Sequence, residues 1–226
     1  LRADEETEEY HELSLQIRRL SYLFDDASAD DTRLEKLLIK RAKILNNAEE
    51  KYEKLESVLS EMPDIKKALF YCSDKQIENV IHILNDELNL FCKTVTHKDK
   101  AKVRKKIFNE FKSGIVDGLC AMGVLDEGLD IPSTKYAFFL SSTGNPKQFI
   151  QRRGRVLRKE KNIDKIAVLH DFIAIPSGNI EENNDIVKKA LEREITRFKE
   201  FAEDADNKFE AHDVIFNIAL DNDIVI

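Results

Sequence analysis

In this 226-residue chain, the stretch best suited to handling a phosphate group is Asn145 to Arg158, NPKQFIQRRGRVLR. Wound as a helix at about 100° per residue, it gathers Phe149, Ile150, Val156 and Leu157 within an arc of roughly 120°. Gln151, Arg155 and Arg158 fall together on the opposite side. One amide and two guanidiniums then project away from a defined apolar face. Guanidinium is planar, permanently charged and able to make two parallel hydrogen bonds, so it suits phosphate. Paired arginines can stabilise the charge on a transferring γ-phosphoryl group. The ordinary alternative is a solvated basic face, but two adjacent arginines without neighbouring carboxylates have no local ion pairing. Gly154 sits mid-pattern, where glycine costs about 0.5–1 kcal/mol relative to alanine. A glycine there points to a close approach.

Other chemistry is harder to place. No G-x-x-x-x-G-K-[ST] loop occurs, and none of the seven glycines forms a nucleotide-cradling turn. No acidic box that would supply a carboxylate for magnesium occurs either. The five histidines (11, 82, 97, 170 and 212) are scattered, and no metal site is expected. Cys72, Cys92 and Cys120 show no CxxC spacing and lie in apolar, strand-like segments. They read as buried free thiols of a reducing compartment, hence a cytoplasmic protein.

The elements that must position these residues alternate in the manner of a parallel α/β sheet. Strands are predicted at Ala68–Cys72, Phe91–Val95, Gly118–Met122, Tyr136–Leu140 and Ile166–His170. A helix capped by Ser73 or Asp74 carries Ile77, Val80, Ile81, Leu84 and Leu88. Another, with Val103, Ile107, Phe108 and Phe111 inward, ends at Gly114. A third begins at Asn145 and Pro146.

Residues 1–63 read instead as two helices, either an antiparallel pair packing on the next domain or a coiled coil. Tyr10, Leu13, Ile17, Leu20 and Phe24 mark the first. Thr32 and Glu35 form a capping box for the second. Its seam runs through Leu34, Leu38, Arg41, Leu45, Ala48, Tyr52, Leu55 and Leu59 until Pro63. Arg41 is the odd member, expected to snorkel outward rather than find an inward partner. A last helix over 183–206 carries Val187, Leu191, Ile195, Phe198, Ala202 and Ala205 on one side. The chain thus divides into a helical extension (1–63), a sheet domain (64–175) and a C-terminal helical segment (176–226).

Charge follows this division. Net charge is −7 overall, yet residues 64–175 hold 20 basic and 14 acidic side chains. The flanks hold 10 basic and 16 acidic residues over 1–63, and 6 basic and 13 acidic over 176–226. A basic module between acidic flanks is compatible with a polyanionic partner. At 42% apolar residues the chain can bury a core. No apolar run approaches the roughly 20 residues of a membrane span, so no membrane partner is expected. Leu1 in place of Met suggests a segment of a longer protein.

QRRGRVLR resembles motif VI of superfamily-two helicases, Q-x-x-G-R-x-x-R. Upstream, VLDEGLDIP resembles motif V, with Gly128 and Asp130 in the G-x-D positions and Asp126-Glu127 in the same loop. KALFYCSDKQ resembles motif IV, and RKKIFNEFKSG is similar to a stretch common in these domains. The elements keep the family's order over residues 66–172. The resemblance implies a RecA-like second motor domain: a mainly parallel sheet with helices on both faces. It implies that Arg155 and Arg158 act as arginine fingers on the γ-phosphate of ATP, assisted by Gln151, with Gly128 and Asp130 near the ribose. ATP and Mg2+ would be held mainly by a first RecA-like domain of the same parent chain. The segment alone would then be unable to hydrolyse ATP.

Nucleic acid would be met by Ser73, His97 and Met122, although His97 also reads as an ordinary solvated loop residue. Met122 replaces the family's usual Thr or Ser, six residues before the motif V glycine. Gln151 stands where DEAD-box RNA helicases have His. VLDEGLDIP and the helical lead-in IKRAKILNNAEEKYEKL are similar to the XPB-like and type III restriction-subunit branch, which favours DNA over RNA. The rival reading is a degenerate RecA-like module serving as a non-catalytic protein- or nucleic-acid-binding scaffold.

Overall fold

The computed structural model describes residues 3–23, 31–121, 134–141, 166–176, 184–222 and 224. They form two compact units, Glu49–Phe172 and Leu1–Ala48 with Ile173–Ile226.

The first unit is built on five parallel strands: β1 (Ala68–Tyr71), β2 (Cys92–Val95), β3 (Gly118–Ala121), β4 (Tyr136–Phe139) and β5 (Val168–Asp171), in the order β2-β3-β1-β4-β5. Each predicted strand is present within two residues at either end. β1 lies at the centre, and every one of its residues is buried. That explains its unbroken apolar run, since a central parallel strand is covered on both faces.

Alternation along the strands separates those faces. Ala68, Phe70, Cys92, Cys120 and Phe138 share one cluster with Leu55 and Leu59 of α3 (Glu50–Ser60) and Val80 of α4 (Ile77–His82). Leu84, in the π-helical turn Ile83–Glu87 that continues α4, joins them. Lys93 points the other way, and its Nζ meets Glu110 Oε2 of α5 (Ala101–Ser113) at 2.7 Å. Helices therefore cover both faces, the RecA-like arrangement.

The amino edge of the sheet is tightly fastened. Gly114 ends α5 at φ +79, a left-handed conformation that favours glycine. The Ile115 N–H then bonds Glu110 O at 3.0 Å. Lys67 Nζ donates to the carbonyls of Phe111, at 2.6 Å, and Lys112. Asp117 accepts from the Phe91 N–H at 3.0 Å and pairs with Lys66. A Cβ on Gly118 would stand 2.7 Å from Phe70 Cε2 and 2.9 Å from Cys92 Sγ, so any side chain at the start of β3 would force its neighbours to move.

Three sequence expectations change in the helical regions. The described residues of 1–62 form three helices, not two: α1 (Ala3–Leu23), α2 (Asp31–Asn46) and α3. Thr32 lies inside α2, not at its cap. The break falls at Asn47, whose Nδ2 bonds back to Lys43 O at 2.6 Å, offering the backbone an alternative to helix. α3 then packs in the sheet unit, through Leu55 and Leu59. The four-three alternation hid the break because both helices have an inward stripe at the same spacing.

Arg41 does not snorkel. It is 7% exposed, with Nη1 3.3 Å from Ser14 Oγ and the guanidinium over the Tyr10 ring at 5.5 Å. Burial lowers its pKa, but an aromatic face and a hydroxyl replace part of its hydration.

The last region holds α6 (Asn184–Ala202) and a further helix, α7 (Lys208–Asp221). α6 buries Leu191, Ile195 and Ala202 as predicted, and the first two share a cluster with Ile215 and Ala219 of α7. α7 escaped the periodicity reading because apolar residues surround it almost completely.

Candidate nucleotide and nucleic-acid interface

All five strands being parallel, their carboxyl ends share one edge, where open α/β sheets bind ligands. Ser73 follows β1 at this edge. It is half-buried, and its N–H donates to Gln76 Oε1 at 2.9 Å, while Gln76 N–H returns to Ser73 O at 3.0 Å. Gln76 is completely buried. This exchange is half of a capping box and holds the turn into α4. Sequence reasoning chose Ser73 and missed Gln76, although the S-x-x-Q spacing in SDKQ carried the signal.

His97 follows β2 at the same edge and is exposed. Its turn is tied by Asp99 Oδ2, which accepts the Thr96 N–H at 2.7 Å and the Thr96 hydroxyl at 3.0 Å. With β3 lying between β2 and β1, the structure brings Ser73 and His97 to one edge, separated by a single strand.

Met122, Gly128, Asp130, Gln151, Arg155 and Arg158 lie outside the described residues, as does the helix expected from Asn145. The described chain does define their points of departure. β3 ends at Ala121, and β4 is followed by Leu140 and Ser141, whose N–H groups both donate to Tyr71 O, at 2.9 and 3.0 Å. Leu140 O in turn accepts from Lys51 Nζ at 2.7 Å. Lys51 is only 6% exposed, unusual for an amine. Its signal in the sequence was position: it stands four residues before Leu55 and eight before Leu59, on the inward stripe of α3.

Near the carboxyl end of β5, His170 stacks on Phe138 at 4.9 Å, and Phe138 on Phe70 at 4.8 Å. Burial lowers the His170 pKa. The three cysteines are free and buried, as expected. Burial pushes the Cys72 and Cys92 thiols up to about 12, and Cys120 well above its ordinary value. All three are neutral thiols, unsuited to nucleophilic or ligand roles. Among the described residues no cluster of three or more His, Cys, Asp or Glu could hold a metal, and no helix is long and apolar enough to cross a membrane.

Residues 50–160 match the family described as the helicase conserved C-terminal domain. The chain carries a superfamily-two helicase C-terminal domain. The match begins at the first residue of α3, so the domain includes the helix that brings Lys51 to the carboxyl edge.

Among its relatives, a protein of Sulfurisphaera tokodaii named DNA 3'-5' translocase XPB2 is 32% identical over 127 residues, 56% of this chain and 27% of that protein. DEAD-box ATP-dependent RNA helicase 36 of Arabidopsis thaliana is 28% identical over 103 residues, 45% of this chain and 21% of that protein. The chain therefore spans about a quarter of the length of these relatives. Among solved structures, the C-terminal domain of the DEAD-box protein Dbp5 gives a TM-score of 0.49 at 18% identity, covering 65% of this chain and 81% of that one.

Proposed function

We propose that this chain is the second motor domain of an ATP-dependent nucleic-acid helicase or translocase, acting with a first RecA-like domain of the same longer protein. The observation that carries the reading is the helicase C-terminal match over residues 50–160, because it includes Gly128, Asp130, Gln151, Arg155 and Arg158. Arg155 and Arg158 would serve as arginine fingers on the γ-phosphate, with Gln151 beside them and Gly128 and Asp130 toward the ribose. ATP with Mg2+ would be held mainly by the first domain, which would supply the phosphate loop and the metal carboxylate that the sequence of this chain lacks.

Ser73, His97 and Met122 would face the strand. DNA is favoured over RNA, since the translocase match is longer and more similar than the RNA-helicase match. The protein would work in the cytoplasm.

The test is steady-state phosphate release by the full-length protein with and without duplex DNA. DNA-stimulated hydrolysis is expected, with none from residues 1–226 alone. A full-length protein that binds DNA but hydrolyses no ATP would replace this reading with the non-catalytic scaffold. Stronger stimulation by RNA than by DNA would overturn the choice of nucleic acid.

A further inference from the structure

We propose that the outer face of α5 is an auxiliary track for the phosphodiester backbone of nucleic acid, apart from the strand-end residues already named. The inference rests on the proposed nucleic-acid partner and assigns it a second contact surface.

The face is unusual in a chain of net charge −7. Residues 97–113 hold seven basic side chains and two carboxylates. Both carboxylates are engaged. Asp99 closes the Thr96 turn, and Glu110 takes Lys93 at 2.7 Å and Lys106 at 3.9 Å. Lys93 also holds the Glu110 carboxyl below its ordinary range. Among the described residues, neither Lys102 nor Lys105 pairs with a carboxylate.

Helical spacing sets Lys102, Lys105 and Lys106 opposite the buried Ile107, Phe108 and Phe111. With Asn109, Glu110, Ser113 and the exposed Ile115 they line one shallow hollow of about 520 Å³, the Glu110 carboxylate there being already taken by Lys93 and Lys106.

Lys106 has its i,i+4 partner in Glu110, but helix stability does not explain Lys102 or Lys105. The first turn of α5 holds no acidic residue, and Lys100 at its cap makes no side-chain capping bond. Basic side chains near the positive end of a helix dipole oppose the helix. Violations of local rules of this kind concentrate where a surface has a task.

The composition also selects the partner. Protein interfaces are depleted in lysine and centre on Trp, Tyr or Arg anchors, none of which lines this hollow. Three compact ammonium groups suit sequence-independent phosphate contacts, which act by releasing counterions.

The experiment compares the full-length protein with two triple variants of equal charge change. One is Lys102→Ala/Lys105→Ala/Lys106→Ala. The other, a control, is Lys36→Ala/Lys40→Ala/Lys43→Ala on α2, where all three lysines are also exposed. Affinity for labelled duplex DNA is measured between about 50 and 200 mM salt, where the slope of log affinity against log salt falls by about 0.9 per lost phosphate contact.

The α5 variant is expected to lose about 2–3 of that slope and to bind about tenfold more weakly at the low-salt end, with the control unchanged. All six positions are exposed, so both variants should keep the wild-type melting temperature. An unchanged slope in the α5 variant, or an equal loss in the control, would overturn the track and leave the motor reading intact. Competition by polyglutamate as effective as DNA of equal charge would assign the face to an acidic polypeptide instead. Failure of the wild-type protein to bind nucleic acid at low salt would reject the motor reading itself.

Discussion

The two edges of the sheet are made differently. At the amino edge, backbone groups are closed by charged side chains at short range: Lys66 and Phe91 on Asp117, Lys67 on the last carbonyls of α5, and no room for a methyl group at Gly118. At the carboxyl edge one buried amine, Lys51 on Leu140 O, ties the end of β4. The other fastenings are single polar residues within tight turns, Gln76 under Ser73 and Asp99 under Thr96, with His97 exposed beside Thr96. One edge is arranged to hold the strands in register. The other holds short turns still while leaving their tips available. Substitutions at the amino edge should therefore cost the more stability, and those at the exposed tips of the carboxyl edge should cost activity.

The largest effect tests that division at its functional end. In the full-length protein, Arg155→Ala or Arg158→Ala is expected to lower kcat for ATP by about 10³–10⁵, the scale of arginine fingers. The melting temperature should hold, because the sequence pattern sets both side chains opposite Phe149, Ile150, Val156 and Leu157. Lysine should rescue neither position, since an ammonium cannot make the two-pronged contact. Arg152→Ala should cost far less. If Arg152→Ala were as damaging, or if Arg155→Ala unfolded the domain, the assigned roles would be wrong.

The amino edge should answer in the opposite way. Gly118→Ala forces a methyl group against Phe70 and Cys92 and is expected to destabilise by about 1–3 kcal/mol, the usual cost of overpacking. Urea unfolding would measure it. A variant as stable as wild type would show that β3 can shift, and that this edge is looser than it looks.

The strands were legible because central parallel strands are apolar on both faces, as in ALFY and GLCA, and because Gly114 marks a helix end by its backbone alone. What sequence missed were polar groups with tertiary partners. Arg41 looked like a misfit in an apolar seam because its neighbours Tyr10 and Ser14 come from another helix. Lys51 drew no notice because its acceptor, Leu140 O, lies 89 residues away. Gln76 could have been found with its partner, which is three residues off, whereas the position of Lys51 on an inward stripe signalled burial without an acceptor. Of the candidate site, the described residues include Ser73 and His97, which follow β1 and β2 at one edge of the sheet. The remaining assignments rest on motif likeness, to which short-range periodicity adds only which face of a helix they share.

A smaller effect is expected at the carboxyl-edge turns. Asp99→Ala removes the acceptor of the Thr96 N–H and hydroxyl and should cost about 1 kcal/mol, the usual worth of a cap. Asp99→Asn, which keeps an acceptor, should recover most of it. Equal losses in the two variants would mean that the carboxylate charge, not the turn, matters here.

The smallest effect concerns His170, which belongs to neither edge alone. Its ring ends the stack from Phe70 through Phe138, and burial lowers its pKa from the ordinary value of 6.5. The sign follows from linkage. With the folded pKa below the unfolded one, the unfolded chain binds the proton first as pH falls. This residue therefore costs no stability above the unfolded value. Stability is lost progressively as pH drops from there through the lower folded value. The comparison is of urea midpoints for wild type and His170→Phe, a change that keeps an aromatic ring in the stack. Wild type should lose stability on acidification across that window, and the variant should lose less. Identical slopes in the two proteins would mean that His170 meets solvent as freely in the fold as in the unfolded chain, and that the stack is open at its end.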